Sequence, residues 1–71
     1  VSSVDSANNI VVVKTCAGMA QGAAAAIDSM GRDDIVGSVA GDDTIIIIMR
    51  TNEAAGSLIS ELREIAGSKN Q

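Results

Sequence analysis

The 71-residue chain contains no phenylalanine, tyrosine or tryptophan. An aromatic ring buries roughly 150–250 Å2, so a core of valine, isoleucine, leucine, methionine and alanine gains less area per side chain. A domain of this size buries only about 60% of the surface its unfolded chain exposes, so the single core is marginal. There is no histidine and one cysteine, Cys16, which excludes an internal disulfide and a Cys/His zinc site. Subunit association remains as the extra source of stability. Basic residues are also few: five against nine acidic ones, a formal net charge of −4. That balance argues against direct binding of DNA or RNA phosphates, and without aromatics there is no platform on which single-stranded bases could stack. No apolar run approaches the roughly 18 residues of a membrane span, and the N-terminus lacks the basic and apolar blocks of a signal peptide. A thiol without a partner suits a reducing cytoplasm. The chain begins at Val1 without a methionine, as expected of a piece of a longer protein.

What is present reads as ββαββα. Val1 to Asp5 and Ile10 to Thr15 flank Ser6-Ala7-Asn8-Asn9, where asparagine tolerates positive φ, and predict a hairpin. From about Gly18 to Met30, Ala20, Ala23, Ala24, Ile27 and Met30 recur at helical spacing. Gly31 is placed to cap that helix and Arg32 to complement its negative end. Ile35 to Ala40 and Thr44 to Arg50 are two more strands joined at Gly41-Asp42-Asp43. The last helix runs from about Asn52 to Ala66 with Ala55, Leu58, Ile59, Leu62, Ile65 and Ala66 as its apolar stripe, and Gly67 ends it. The order predicts one α/β domain of the α+β kind over residues 1–71: a two-layer sandwich whose two helices cover one face of a four-stranded, mostly antiparallel sheet. Val11 to Val13 and Ile45 to Ile48 do not alternate with polar residues, so the second face is also covered, by another subunit.

Three groups of polar residues compete for a functional role. Gln21 and Asp28 are seven residues apart on the first helix, which brings them within about 20° of one direction. The small Ala24 and Ala25 between them leave a trough, and Asp28 sits in the last turn, where the helix dipole disfavours a negative charge by roughly 0.3–1 kcal/mol. Both residues could simply face solvent. Asp42 and Asp43 stand at the mouth of the most apolar strand, where a carboxylate pair either faces water in a turn or waits for a cation. A calcium loop would need alternating ligands over about twelve residues, which are missing, and an aspartate pair of the polymerase kind needs a catalytic fold larger than this chain. A planar guanidinium, which pairs with carboxylates in two-pronged fashion, fits better. Asp33 and Asp34 read as water-facing turn residues. Cys16 and the serines have no histidine to activate them, so no catalytic constellation is visible.

The stretch Val11-Val12-Val13-Lys14-Thr15-Cys16-Ala17-Gly18-Met19-Ala20-Gln21, followed by Asp28 and by Ile35-Val36-Gly37-Ser38-Val39-Ala40-Gly41-Asp42-Asp43-Thr44-Ile45, resembles the C-terminal domain of bacterial arginine repressors. The resemblance covers nearly the whole chain. It implies a domain that forms trimers, pairs them into hexamers and binds L-arginine as co-repressor at the trimer–trimer interface, with no enzymatic activity, no cofactor and no metal. It also implies that operator DNA is contacted only through a separate N-terminal winged helix-turn-helix absent from this chain, in the cytoplasm and away from membranes. Position by position, the family's ligand glutamine matches Gln21 and its helical aspartate Asp28. Its strand contacts match Ser38 and Ala40, and its aspartate pair Asp42 and Asp43. Ser38 stands where threonine is common, which keeps the hydroxyl. Cys16-Ala17 replaces a stretch often written with proline. Two other readings of the residues stay open: a small amino-acid-binding regulatory domain of a biosynthetic enzyme, and a purely structural assembly module.

Overall fold

Two asparagines make the first bend. Asn8 adopts φ 55°, the left-handed conformation that a two-residue hairpin turn needs and that asparagine accepts more readily than most residues. The turn is therefore tighter than the four residues expected. Strand β1 is Ser3–Ala7 rather than Val1 to Asp5, and β2 is Ile10–Lys14, with Ala7 facing Ile10 across the turn. The computed structural model describes residues 2–69, with side-chain surroundings through Ile65, so the expectation for Val1 lies outside the described residues. Helix α1 (Ala20–Asp28), β3 (Ile35–Ala40), β4 (Thr44–Met49) and α2 (Asn52–Lys69) complete the ββαββα order. The sheet runs β1-β2-β4-β3, and every neighbouring pair is antiparallel.

Register sorts the continuous apolar runs onto two faces. Val11 pairs with Ile47 and Val13 with Ile45, and all four are fully buried. Val12 pairs with Ile46 and Ile10 with Ile48 on the other face. Helix α1 lies against β3 and β4, and α2 chiefly against β1 and β2. Together they close the first face over Ala20, Ile27, Ala55, Leu58, Ile59 and Leu62.

Helix α1 is shorter than its periodicity suggests because both flanking glycines turn left-handed, Gly18 at φ 79° and Gly31 at φ 68°. A side chain at either position would meet the steric penalty of that region. Gly31 thus closes the helix as expected, its N–H donating to the Asp28 carbonyl. Helix α2 is capped by the preceding Thr51, whose hydroxyl accepts from the Ala54 N–H at 3.0 Å, and it ends later than expected. It passes through Gly67 to Lys69, because a glycine lowers helix propensity by about 1 kcal/mol without breaking the chain of hydrogen bonds. Ile65, expected in the apolar stripe, is 47% exposed, since the described part of α2 has already passed its last buried contact at Leu62. The side chain of Ala66 lies outside the described residues.

Two charged residues depart from the simple reading. Arg32 does not serve the end of α1. Its Nε and Nη2 donate to the two carboxylate oxygens of Asp34 at 2.9 and 2.7 Å, and Nη1 donates to Glu61 Oε1 on α2. Asp34 is accordingly a half-buried acceptor rather than a water-facing turn residue, and the hydrogen bonds and charge of Arg32 hold its carboxyl below the usual aspartate range.

Candidate functional site

The turn that carries Asp42 and Asp43 is pinned by its backbone. Two N–H groups from the loop between β2 and α1 and the first of α1 itself donate to its carbonyls: Thr15 to Asp43 at 2.7 Å, and Gly18 and Ala20 to Asp42 at 2.9 and 3.3 Å. Gly41 closes the turn by donating to the Thr44 carbonyl at 2.8 Å. Met19, the N-cap of α1, supplies no side-chain cap, so the Asp42 carbonyl takes the place of a capping side chain at the first helical N–H. The left-handed Gly18 makes this approach possible. The consequence is that the two carboxylates project from a turn anchored against the N-terminus of α1, one residue from Gln21.

Both aspartates and Gln21 are exposed. Asp43 Oδ1 accepts from the Thr44 hydroxyl at 2.9 Å, which orients that carboxylate and leaves its second oxygen available. Ser38 and Ala40 pair with Ile47 and Ile45, so they lie on the helix-covered side of β3, the free edge strand beside α1. Ala40 is partly buried against the core and Ser38 is exposed. Gln21, Ala40, Asp42 and Asp43 thus lie at the N-terminal end of α1 and the β3–β4 turn, with Ser38 two residues further back along β3.

Asp28 is the exception. It is exposed at the far end of α1, about 10 Å along the axis from Gln21 at 1.5 Å per residue. It shares their helix face without sharing a hydrogen bond with them. Among the described residues every ion pair belongs to Arg32, so Asp28, Asp42 and Asp43 carry no internal cation. No group of three or more His, Cys, Asp or Glu residues among those described is arranged to hold a metal. Cys16 is exposed in the β2–α1 loop, and is not the buried or semi-buried thiol that its place after an apolar strand suggests.

Two features escaped the sequence reading. One is the docking of the Asp42 and Asp43 carbonyls onto the β2–α1 loop, for which Gly18 was the available signal. The other is the Thr44 hydroxyl beside Asp43. A third surface is apolar and open: Ile46 is 40% exposed and Val39, which faces it across the β3–β4 ladder, 69%. Ile10 is 36% exposed on the same face. An open groove further along this face is lined by Ser3, Asp5, Ala7, Val12 and Lys14. It contains none of the candidate ligand residues.

Comparison with known proteins matches residues 1–64 to the family model described as "Arginine repressor, C-terminal domain". Among relatives, an arginine repressor of Acetivibrio thermocellus is 52% identical over 69 residues, covering 97% of this chain and 45% of the relative. One from Pelotomaculum thermopropionicum is 43% identical over 67 residues, 94% of this chain and 44% of its own length. One from Thermus thermophilus is 51% identical over 61 residues, covering 86% and 37%. The chain therefore spans less than half the length of these relatives.

Proposed function

The chain belongs to the family of arginine repressor C-terminal domains, which are parts of regulators and not enzymes, and we propose that it senses L-arginine and assembles subunits around it. The observation that carries the reading is the anchored Asp42-Asp43 turn beside Gln21, with exposed carboxylates and, among the described residues, no protein cation to neutralise them. Arginine supplies the missing charges. Its guanidinium presents a planar fork to carboxylates, and its α-ammonium is a second cation that a separate carboxylate, such as Asp28, can take. The amide of Gln21 and the hydroxyl of Ser38 offer neutral hydrogen bonds to the α-carboxylate end.

One chain leaves Asp28 and the aspartate pair at opposite ends of α1. A ligand that engages both sets is best served where two subunits meet, each completing the other's site. The open sheet face is a different, apolar surface. Two surfaces of unlike chemistry suit two kinds of contact, an apolar one that builds trimers and a polar, ligand-filled one that pairs trimers into hexamers. Arginine bound across the second contact would favour the paired assembly, because a ligand shifts an equilibrium toward the state it binds better. In the longer protein that shift would reach operator DNA through a winged helix-turn-helix outside these residues, acting as a repressor of arginine metabolism in the cytoplasm.

Calorimetric titration of the chain with arginine, citrulline and ornithine tests the reading, alongside sedimentation equilibrium. Arginine should bind and citrulline, which keeps the shape but loses the guanidinium charge, should bind far more weakly. Equal affinity for both would remove the carboxylates from the argument. Binding of a different amino acid would favour the regulatory domain of a biosynthetic enzyme, and pairing of trimers into hexamers that no ligand affects would favour a structural module.

A further inference from the structure

The loop that leaves α1 after Asp28 is held by one side-chain ion-pair centre and by Arg50. Arg32 is 15% exposed, and its guanidinium holds Asp34 through two hydrogen bonds and reaches across to α2 at Glu61 and at Ser57, the latter at 3.3 Å. The same loop is fixed a second time where the Arg50 N–H donates to the Asp34 carbonyl at 2.9 Å and Arg50 Nε to the Asp33 carbonyl at 3.1 Å. Between this anchor and Asp28 lies only the turn of Ser29, Met30 and Gly31, closed by hydrogen bonds from Met30 to the Ile27 carbonyl and from Gly31 to the Asp28 carbonyl. The Asp42-Asp43 end of α1 has its own anchor in the β2–α1 loop. The two ends of the candidate site are therefore held by separate devices, and only the Asp28 end depends on a side-chain ion pair.

We infer that Arg32 is a positioning residue for ligand binding at Asp28, clamping the end of α1 to α2 through Asp34 and Glu61 so that the Asp28 carboxylate is held where the ligand's cation arrives. The inference rests on the arginine-sensing reading above. Arg32 itself does not touch the ligand: its fork is occupied by Asp34 and its remaining nitrogen by Glu61. A lysine keeps the charge but cannot hold both carboxylate oxygens of Asp34 and reach Glu61 together.

The test compares Arg32→Gln and Arg32→Lys with the unaltered chain in arginine titrations, each in an otherwise native and in an Asp28→Asn background, together with amide hydrogen exchange. Arg32→Gln should weaken arginine binding roughly 2- to 30-fold, the usual range for a coupled residue away from the ligand, and Arg32→Lys should recover part of the loss. In the Asp28→Asn background the same substitution should cost markedly less, because contacting effects are not additive. A general loss of structure would cost the same in both. Exchange should quicken at Met30 and Gly31 in Arg32→Gln and stay unchanged at Thr15 and Gly18, a readout that needs no ligand. Unchanged arginine affinity, equal losses in both backgrounds, or faster exchange at both ends of α1 would each overturn the inference while leaving arginine sensing intact. Failure of the unaltered chain to bind arginine would overturn both.

Discussion

Ile45 and Ile46 are the same residue type, adjacent in the same strand, yet one is fully buried and the other 40% exposed. The pattern extends across the sheet. Val11, Val13, Ile45 and Ile47 lie under the helices, and Ile10, Val12, Ile46, Ile48 and Val39 form the apolar centre of the other face, over which no helix lies among the described residues. An open face made of β-branched residues is not the alternating hydrophobic-in, polar-out pattern of a half-solvated antiparallel sheet. The covered face explains why a single chain folds, and the open face is the surface that the proposed assembly would cover.

The sharpest way to break that comparison is to cut one residue from each face. Ile47→Ala removes a fully buried side chain from the helix-covered core, and such truncations cost about 2–5 kcal/mol, a large share of the stability of so small a domain. Thermal and urea melting should show the loss at every protein concentration. Ile46→Lys should act differently, placing a charge on the open face without disturbing helix packing. Sedimentation equilibrium should find it shifted to monomer, with folding retained by circular dichroism. If Ile46→Lys sedimented as the unaltered chain does, the open face would not be the assembly surface.

How far this arrangement could be read beforehand depended on the range of the interactions. The bounds of β3 and the start of α2 followed from local pattern, and those of β4 differ by one residue. The strand runs Val11 to Val13 and Ile45 to Ile48 announced two apolar faces, but not which residue faced which way, because identical side chains carry no parity. The span Gly18 to Met30 overshoots α1 by two residues at each end because the apolar spacing runs on to Met30, whereas the backbone at Gly18 and Gly31 obeys turn geometry. Arg32 and Asp34 were read as neighbours of a helix end and a loop. Their partner Glu61 is 29 positions away from Arg32, beyond any periodicity. For the site, the types and spacing of Gln21, Asp28, Asp42 and Asp43 were legible, and the resemblance added Ser38 and Ala40. The backbone anchor that holds the Asp42-Asp43 turn against the start of α1 was not, because carbonyls of any residue can make it.

A smaller effect separates binding from folding within the anchored turn. Asp42→Asn keeps size and turn propensity and removes one negative charge beside another. The turn's hydrogen bonds run through the Asp42 carbonyl and survive the change, so the melting temperature without ligand should hold or rise slightly as repulsion between neighbours is relieved. Arginine affinity should fall by about 1.5–3 kcal/mol, the value of a hydrogen bond to a charged partner. Asp43→Asn should behave alike, with Thr44 still able to donate to the remaining side-chain oxygen. Calorimetry and melting on the same samples check the opposite movements, and a parallel fall in both quantities would make the pair a structural turn.

The smallest effect concerns pH, and the comparison of faces locates it. Thr15 is the buried polar side chain among the described residues, and it does not titrate, so the helix-covered core is indifferent to pH. The charge-dependent element is the Arg32–Asp34 clamp. Asp34 has its pKa lowered from an ordinary 3.8, chiefly by the hydrogen bonds from Arg32. A group whose folded pKa lies below its unfolded one binds fewer protons when folded, so its stabilisation is complete above about pH 4 and is lost as pH falls through the lower folded value. The clamp is partly open to solvent, so salt should shrink the effect. Melting curves of the unaltered chain and of Asp34→Asn, taken from pH 7 down to pH 2, should therefore run apart by a constant interval until about pH 4 and converge below it. An interval that persists to pH 2 would show that the difference does not come from the charge of Asp34.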